Sequence, residues 1–222
     1  MFVDTRYDGP VEIATLTPGG RAVRVVRPAD PDRLLDDPDV RESSRAGDYM
    51  PYWAYLWPGA FLLAETVARE PWDPGTQALE IGCGLGLAGM VGVAAGLRVT
   101  FTDHDAAPLR FVERSASENA FPAGSYETRL LDWRELPDER YPVILGADVL
   151  YERRLVTLVS GLIDRMLAPG GLALIAGPYR AATEELPDHL SRHGLVTEAI
   201  PVEATDERGG VVRGTLHRIR RG

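Results

Sequence analysis

Leu79-Glu80-Ile81-Gly82-Cys83-Gly84-Leu85-Gly86-Leu87-Ala88-Gly89 joins an apolar run, Ala78 to Ile81, to a run of small residues reaching Ala95. The change of pattern predicts a strand, a glycine turn and a helix in succession. Gly82 and Gly84 let the backbone turn tightly and let a ligand come close, and Gly86 opens a helix whose first N–H groups face that ligand. Such a turn can also be simple packing, so its setting decides. Glu80 precedes the first glycine, and Asp103 closes the next apolar run 21 residues after Gly82, where a carboxylate can accept both hydroxyls of a ribose. A ligand containing a nucleoside is expected.

The same rhythm continues outward. A strand at Val99 to Phe101 leads to a helix at Pro108 to Asn119, and strands follow at Tyr126 to Leu131 and Val143 to Ala147. A helix from about Glu152 to Leu167 precedes Pro169-Gly170-Gly171 and a strand at Leu172 to Ala176. A helix near Thr183 to Arg192 and strands at Val196 to Val202 and Gly210 to Ile219 bring the count to about seven strands. Strands alternating with helices imply an α/β, Rossmann-like three-layer sandwich with a mostly parallel sheet. Upstream, Val11 to Leu16 and Ala22 to Val26 flank Pro18-Gly19-Gly20 and read as a β-hairpin. Ala29 to Asp48, rich in Asp, Pro, Arg and Ser, should hold a short helix in a surface connection and be the least ordered stretch. Pro51-Tyr52-Trp53-Ala54-Tyr55-Leu56-Trp57-Pro58 then opens a helix through Ala68, Pro58 suiting its first turn. The expected organisation is a hairpin and connection over 1–48 and the α/β domain over 49–222.

Composition narrows the function classes. The 222 residues, 45% hydrophobic and 26% charged, fit one ordinary folded domain. All 24 basic side chains are Arg, with no Lys, and 33 acidic residues leave a net charge of −9. No basic face interleaved with aromatics is present, so nucleic acid is not an expected partner; Arg213, His217, Arg218, Arg220 and Arg221 read as a strand edge and tail. One cysteine, Cys83, excludes an internal disulfide, and four scattered His without HExxH spacing give no metal site. Met1 to Pro10 lacks the apolar core of a signal peptide, and no run has the length of a membrane span. The expectation is a cytoplasmic protein that uses neither a metal nor a membrane.

At this point the sequence resembles the class I, seven-strand S-adenosylmethionine-dependent methyltransferases. Glu80-x-Gly-x-Gly-x-Gly86 looks like their first motif, Thr102-Asp103-His104-Asp105 like their second, and Leu131-Asp132-Trp133 like the acidic position beside adenine. Asp148-Val149-Leu150-Tyr151 after the fourth strand is similar to the DxxY signature of methyltransferase family 16, which includes protein-lysine, protein N-terminal and nicotinamide-methylase-like members. Trp57 matches a tryptophan that this family places against the cofactor. The likeness covers about residues 50 to 180.

The resemblance implies S-adenosyl-L-methionine as cofactor and S-adenosyl-L-homocysteine as product. Asp103 would hold the ribose, Asp132 the adenine amine, and the Gly82 to Gly86 backbone the methionine part, with Cys83 a small filler and Ala147 at the neighbouring strand end. Glu80 would serve the amino group through water or backbone. Trp57 offers a flat apolar surface; Trp133 and His104 either lie along adenine or are a core and a solvated residue, respectively. Asp148 and Tyr151 are the candidates on the acceptor side, since both follow a strand's carboxyl end. The alternative is that Asp148 caps the helix near Glu152 and Tyr151 packs beneath it. Tyr52, Trp53, Tyr55 and Tyr179 are candidates for the acceptor wall, or else core.

A sulfonium methyl is already activated, so the protein must bind, align and exclude water, with no nucleophile of its own. Asp148-Val149-Leu150-Tyr151 is not the Asn-Pro-Pro-Tyr type used on planar amides and adenine. The acceptor expected is therefore a protein lysine or N-terminal amine. A small amine or nicotinamide-like metabolite is the alternative, and a cofactor-binding scaffold without turnover a third reading. A nicotinamide dinucleotide oxidoreductase would usually need a Tyr–Lys or His set, and this chain has no Lys.

Overall fold

The computed structural model describes residues 6–37, 40–41 and 50–222. Met1 to Thr5, much of the Asp- and Pro-rich connection, and the expected boundary between 48 and 49 lie outside the described residues. Its centre is β3 (Gln77–Ile81), parallel on one side to β4 (Arg98–Asp103) and on the other to β6 (Tyr141–Ala147). Beyond β4 lies β5 (Tyr126–Leu130). Beyond β6 come β7 (Leu167–Gly177), β9 (Val211–Arg221) and the edge strand β8 (Leu195–Thr205), giving the order β5-β4-β3-β6-β7-β9-β8. Only β9 runs antiparallel to its two neighbours. The chain reverses its direction of travel across the sheet between β3 and β6, which leaves a crevice outside their carboxyl ends.

Helices cover both faces. One carries α1 (Pro58–Arg69), α2 (Leu87–Ala94) and α3 (Ala106–Glu118); the other carries α4 (Arg153–Met166) and α5 (Leu186–Ser191). Strand alternation divides the core accordingly: Ala78 belongs to the first cluster, Leu79 and Ile81 to the second. α3 begins before the expected Pro108 because the Asp105 carboxylate caps it, accepting from Ala107 N–H at 2.8 Å. β7 begins earlier than Leu172: its ladder with β6 jumps from Tyr141–Leu167 to Val143–Leu172, and the Pro169-Gly170-Gly171 turn is absorbed in that irregularity.

β1 (Val11–Leu16) and β2 (Val23–Pro28) form the expected hairpin as a separate antiparallel pair. It lies on α3. Val26 N–H donates to Ser115 Oγ at 2.8 Å, while Asn119 accepts from Arg24 N–H at 2.8 Å and donates to Arg24 C=O at 2.7 Å. Val23, Val25 and Val26 are buried in the same cluster as α1 to α3. Pro31–Asp36, in the following connection, forms a short 3-10 helix with Leu34 buried. No described helix is long and apolar enough to cross a membrane.

Candidate active site

The glycine turn sits at the carboxyl end of β3. Gly82, Gly84 and Gly86 all have φ between 50° and 72°, the left-handed region that an L side chain adopts with strain. A Cβ on Gly86 would also lie 2.9 Å from Val112 and 3.1 Å from Phe101, so this turn fits against β4 and α3 only without side chains. Cys83 N–H donates to Thr102 C=O at 2.9 Å, tying the turn to β4. Cys83 itself is buried, and burial pushes its thiol well above the ordinary range. It fills space and does not ionise.

Asp103 ends β4 with its carboxylate collecting backbone donors: Gly84 N–H at 3.0 Å, His104 N–H at 2.8 Å and Asp105 N–H at 3.2 Å. His104 stands outside it with Nδ1 3.2 Å from Asp103, an interaction that raises the imidazole pKa. Asp132, beyond β5, accepts from Arg134 through backbone N–H at 3.0 Å and Nε at 2.8 Å, which holds its carboxyl far below the usual range. The Trp133 ring comes within 3.2 Å of where a Gly82 Cβ would be, beside the turn and against the second core cluster. A left-handed glycine cradle, a carboxylate at each of two adjacent strand ends and a flat ring beside them fit an adenosyl amino acid.

Glu80 is placed deeper than a direct ligand. It is buried, and its Oε2 accepts from Gly89 N–H at 3.2 Å, bracing α2 from below. Burial, opposed by that hydrogen bond and reinforced by Asp103, pushes its carboxyl to about 8. The folded protein therefore holds a proton that the unfolded chain releases at an ordinary glutamate pKa, and stability falls as pH rises through that interval. Glu80→Gln removes the titration: thermal melts should show it gaining on wild type at about pH 9 and not at about pH 5. Equal differences at both pH values would contradict the buried-acid assignment.

Asp148 follows β6 at the crevice, half-buried in a left-handed backbone, φ 54°, which Asn and Asp tolerate better than most residues. The helix it caps is not the one near Glu152. α4 starts from Glu152 without a side-chain cap, whereas Asp148 Oδ2 accepts from Gly59 N–H, in the first turn of α1, at 2.6 Å. A Cβ on Gly59 would come within 2.4 Å of that oxygen. Oδ1 faces Arg180, whose Nη2 is 3.5 Å away. Burial raises the Asp148 pKa, with Gly59 and Arg180 opposing. Neither Gly59 nor Arg180 carries a motif that sequence reading would single out.

The aromatic candidates separate into groups. Tyr151 meets Tyr52 edge-on with centroids 5.7 Å apart, Tyr52 meets Trp57 at 5.9 Å, and Trp57 meets Tyr55 at 5.8 Å. Trp57 Nε1–H donates to Tyr52 C=O at 2.8 Å. Tyr52, Trp57 and Tyr151 are each about two-fifths exposed, a continuous aromatic wall reaching the segment that holds Asp148. Trp53 leaves this wall and packs in the core against Phe111, 5.4 Å between centroids, while its backbone lies over Gly84. Tyr179 is exposed, its hydroxyl bonded to Glu184, and Ala147 lies half-buried at the end of β6.

Comparison with known proteins identifies a family. A family model described as lysine methyltransferase, of methyltransferase family 16, matches residues 55–186. Protein N-lysine methyltransferase METTL21A of Danio rerio is 34% identical over 140 residues, 60% of this chain and 63% of the relative. EEF1A lysine methyltransferase 3 of Mus musculus is 27% identical over 132 residues, 58% and 56% of the two chains. The chain thus spans less than two thirds of these relatives' length. Among solved structures, the glycopeptide N-methyltransferase MtfA complexed with S-adenosyl-L-methionine is similar with a TM-score of 0.61 at 13% identity, covering 76% of this chain and 96% of that one. That likeness is one of fold. Because the family match runs from Tyr55 through the glycine turn and Asp148 to Leu186, well over half the chain, the protein belongs to the lysine methyltransferase family 16.

Proposed function

We propose that the protein transfers a methyl group from S-adenosylmethionine to a lysine side chain of another protein. The observation that carries this reading is the Asp148 carboxylate, held at the crevice beside the exposed wall of Tyr151, Tyr52 and Trp57. An aliphatic stem ending in an amine suits that surface: its methylenes lie along the rings and its nitrogen reaches a carboxylate. An exposed wall favours a side chain presented by a folded partner over a small heterocycle, which would want an enclosed slot. The relatives named as protein-lysine methyltransferases support the same acceptor class.

When bound, S-adenosylmethionine supplies a methyl already activated by its sulfonium centre. The backbone of Gly82 to Gly86 would hold the amino-acid part, Asp103 the ribose and Asp132 the adenine amine, with Trp57 and Trp133 as apolar walls. Asp148 orients the acceptor nitrogen by accepting its N–H, and Tyr151 limits water at the reacting pair. The attacking nitrogen belongs to the acceptor, so none of this chain's side chains forms a covalent bond.

Calorimetric titration tests the cofactor: S-adenosylmethionine and S-adenosylhomocysteine should saturate one site and NAD should not bind. Transfer of labelled methyl to candidate proteins tests the acceptor, and because the chain has no Lys, any labelled lysine belongs to the added protein. Asp148→Asn keeps a side chain suited to the left-handed backbone and an oxygen for Gly59 N–H, so cofactor affinity should hold while turnover falls on the order of 100-fold. Unaltered turnover would remove Asp148 from the acceptor site.

A further inference from the structure

Asp148 is already paired before any acceptor arrives. One carboxylate oxygen is taken by the start of α1 and the other faces the Arg180 guanidinium. Asp148, Arg180, Gly177, Thr215 and His217 line one small cavity at the ends of β6, β7 and β9. The Asp148 side chain is 10% exposed and that of Arg180 37%, so the pair has a buried anion and a cation reaching solvent. Their 3.5 Å separation exceeds the ~2.7–2.9 Å of a tight charge-assisted hydrogen bond, which leaves Oδ1 able to accept another N–H.

Of the charged side chains around this pair, Arg180 is the one that acts on Asp148. His217 on β9 is buried, and burial lowers its pKa, so it is neutral near neutral pH. Glu184 is bonded to Tyr179 and Glu185 pairs with Arg153 at 3.2 Å. Burial raises the Tyr151 hydroxyl, keeping it protonated. α1 brings no acidic residue in its first turn. The charge felt at Asp148 is therefore set by Arg180, while Glu152, Arg154 and Asp103 act on Tyr151 beside it.

This matters because a lysine nitrogen attacks only through a free lone pair. A lone buried carboxylate would favour the ammonium form and hold the proton in place, whereas a cation beside the same nitrogen disfavours it. We propose that Arg180 is a positioning residue that offsets the Asp148 charge, so that the acceptor amine enters neutral, donating an N–H to Asp148 with its lone pair free. The displaced proton leaves to solvent. Transfer then forms the nitrogen–carbon bond and breaks the sulfur–carbon bond, sulfur keeping the electron pair, and the product carries the positive charge. The inference rests on the acceptor reading above.

The test needs no turnover. S-Adenosylhomocysteine is titrated first, which establishes that the wild type, Arg180→Gln and Arg180→Lys are folded and loaded. n-Butylamine, a lysine side chain cut at Cα, is then titrated into the loaded protein at about pH 7.5 in two buffers of different ionisation enthalpy. Wild type should release about one proton per amine bound, since the free amine is protonated at that pH. Arg180→Gln should release almost none, and should bind butyltrimethylammonium, which cannot lose a proton, at least ~100-fold tighter than wild type, the equivalent of two pK units. Arg180→Lys should restore proton release. Equal proton counts in wild type and Arg180→Gln overturn the inference, as does a loaded wild type that takes up no amine. Failure of S-adenosylhomocysteine to bind wild type would instead overturn the functional reading on which it rests.

Discussion

Asp103→Ala should bind S-adenosylmethionine at least ~100-fold more weakly than wild type, a loss of about 2.7 kcal/mol. Two effects combine. The variant loses the acceptor assigned to the ribose hydroxyls, and hydrogen bonds to a charged group contribute about 1.5–3 kcal/mol each. It also strips a common partner from Gly84, His104 and Asp105 N–H, the groups that fix the glycine turn against β4. Asp103→Asn keeps the shape but only one accepting oxygen, so its loss should be smaller, ~10-fold. Calorimetry on proteins shown to be folded measures both. Affinity within error of wild type for Asp103→Ala would mean that the ribose lies elsewhere.

The second large effect concerns stability. Gly89 lies within α2, and alanine at an ordinary helical position gains up to about 1 kcal/mol over glycine. Here the added Cβ would stand 2.3 Å from Glu80 Oε2 and 2.3 Å from Phe101 Cε1, both in buried, closely packed side chains. Sterics reverse the sign: Gly89→Ala should cost about 3 kcal/mol, at the upper end for overpacking. Gly161→Ala supplies the contrast, since Gly161 is in α4 and its Cβ would meet nothing within 4 Å. That variant should be stabilised by about 0.5–1 kcal/mol. Denaturant melts that place the two at the same midpoint would refute the packing argument.

The parts of this site that could be read from sequence are those whose partners are neighbours in the chain. Strand, glycine turn and helix occupy consecutive residues, and Asp103 follows at the spacing that one helix and one strand impose. The setting of Asp148 is different. Its partner Gly59 is 89 residues away, and contact requires α1 to pack across β6 and β7. The nearer choice, a cap on the helix near Glu152, is what local reasoning offers. Left-handed backbone at Asp148 instead directs the carboxylate to α1, and no pattern in the sequence specifies that turn. Tyr52 and Trp53 show the same limit. They adjoin in a three-residue 3-10 turn too short to display a periodicity, yet one joins the exposed wall and the other packs on Phe111.

The attachment of the hairpin to α3 has a consequence for how the protein is made. A two-stranded hairpin is marginal in water by itself, and β2 takes its anchoring hydrogen bonds from Ser115 and Asn119, 89 and 95 residues further along. At a synthesis rate of ~5–20 residues per second, the anchors leave the ribosome roughly 5–20 s after the strand they hold. Val23, Val25 and Val26 spend that interval without the helix that buries them, so β2 finds its seat only after β3 and β4 have been translated. Chains stalled in between would display that apolar strand to chaperones or to one another.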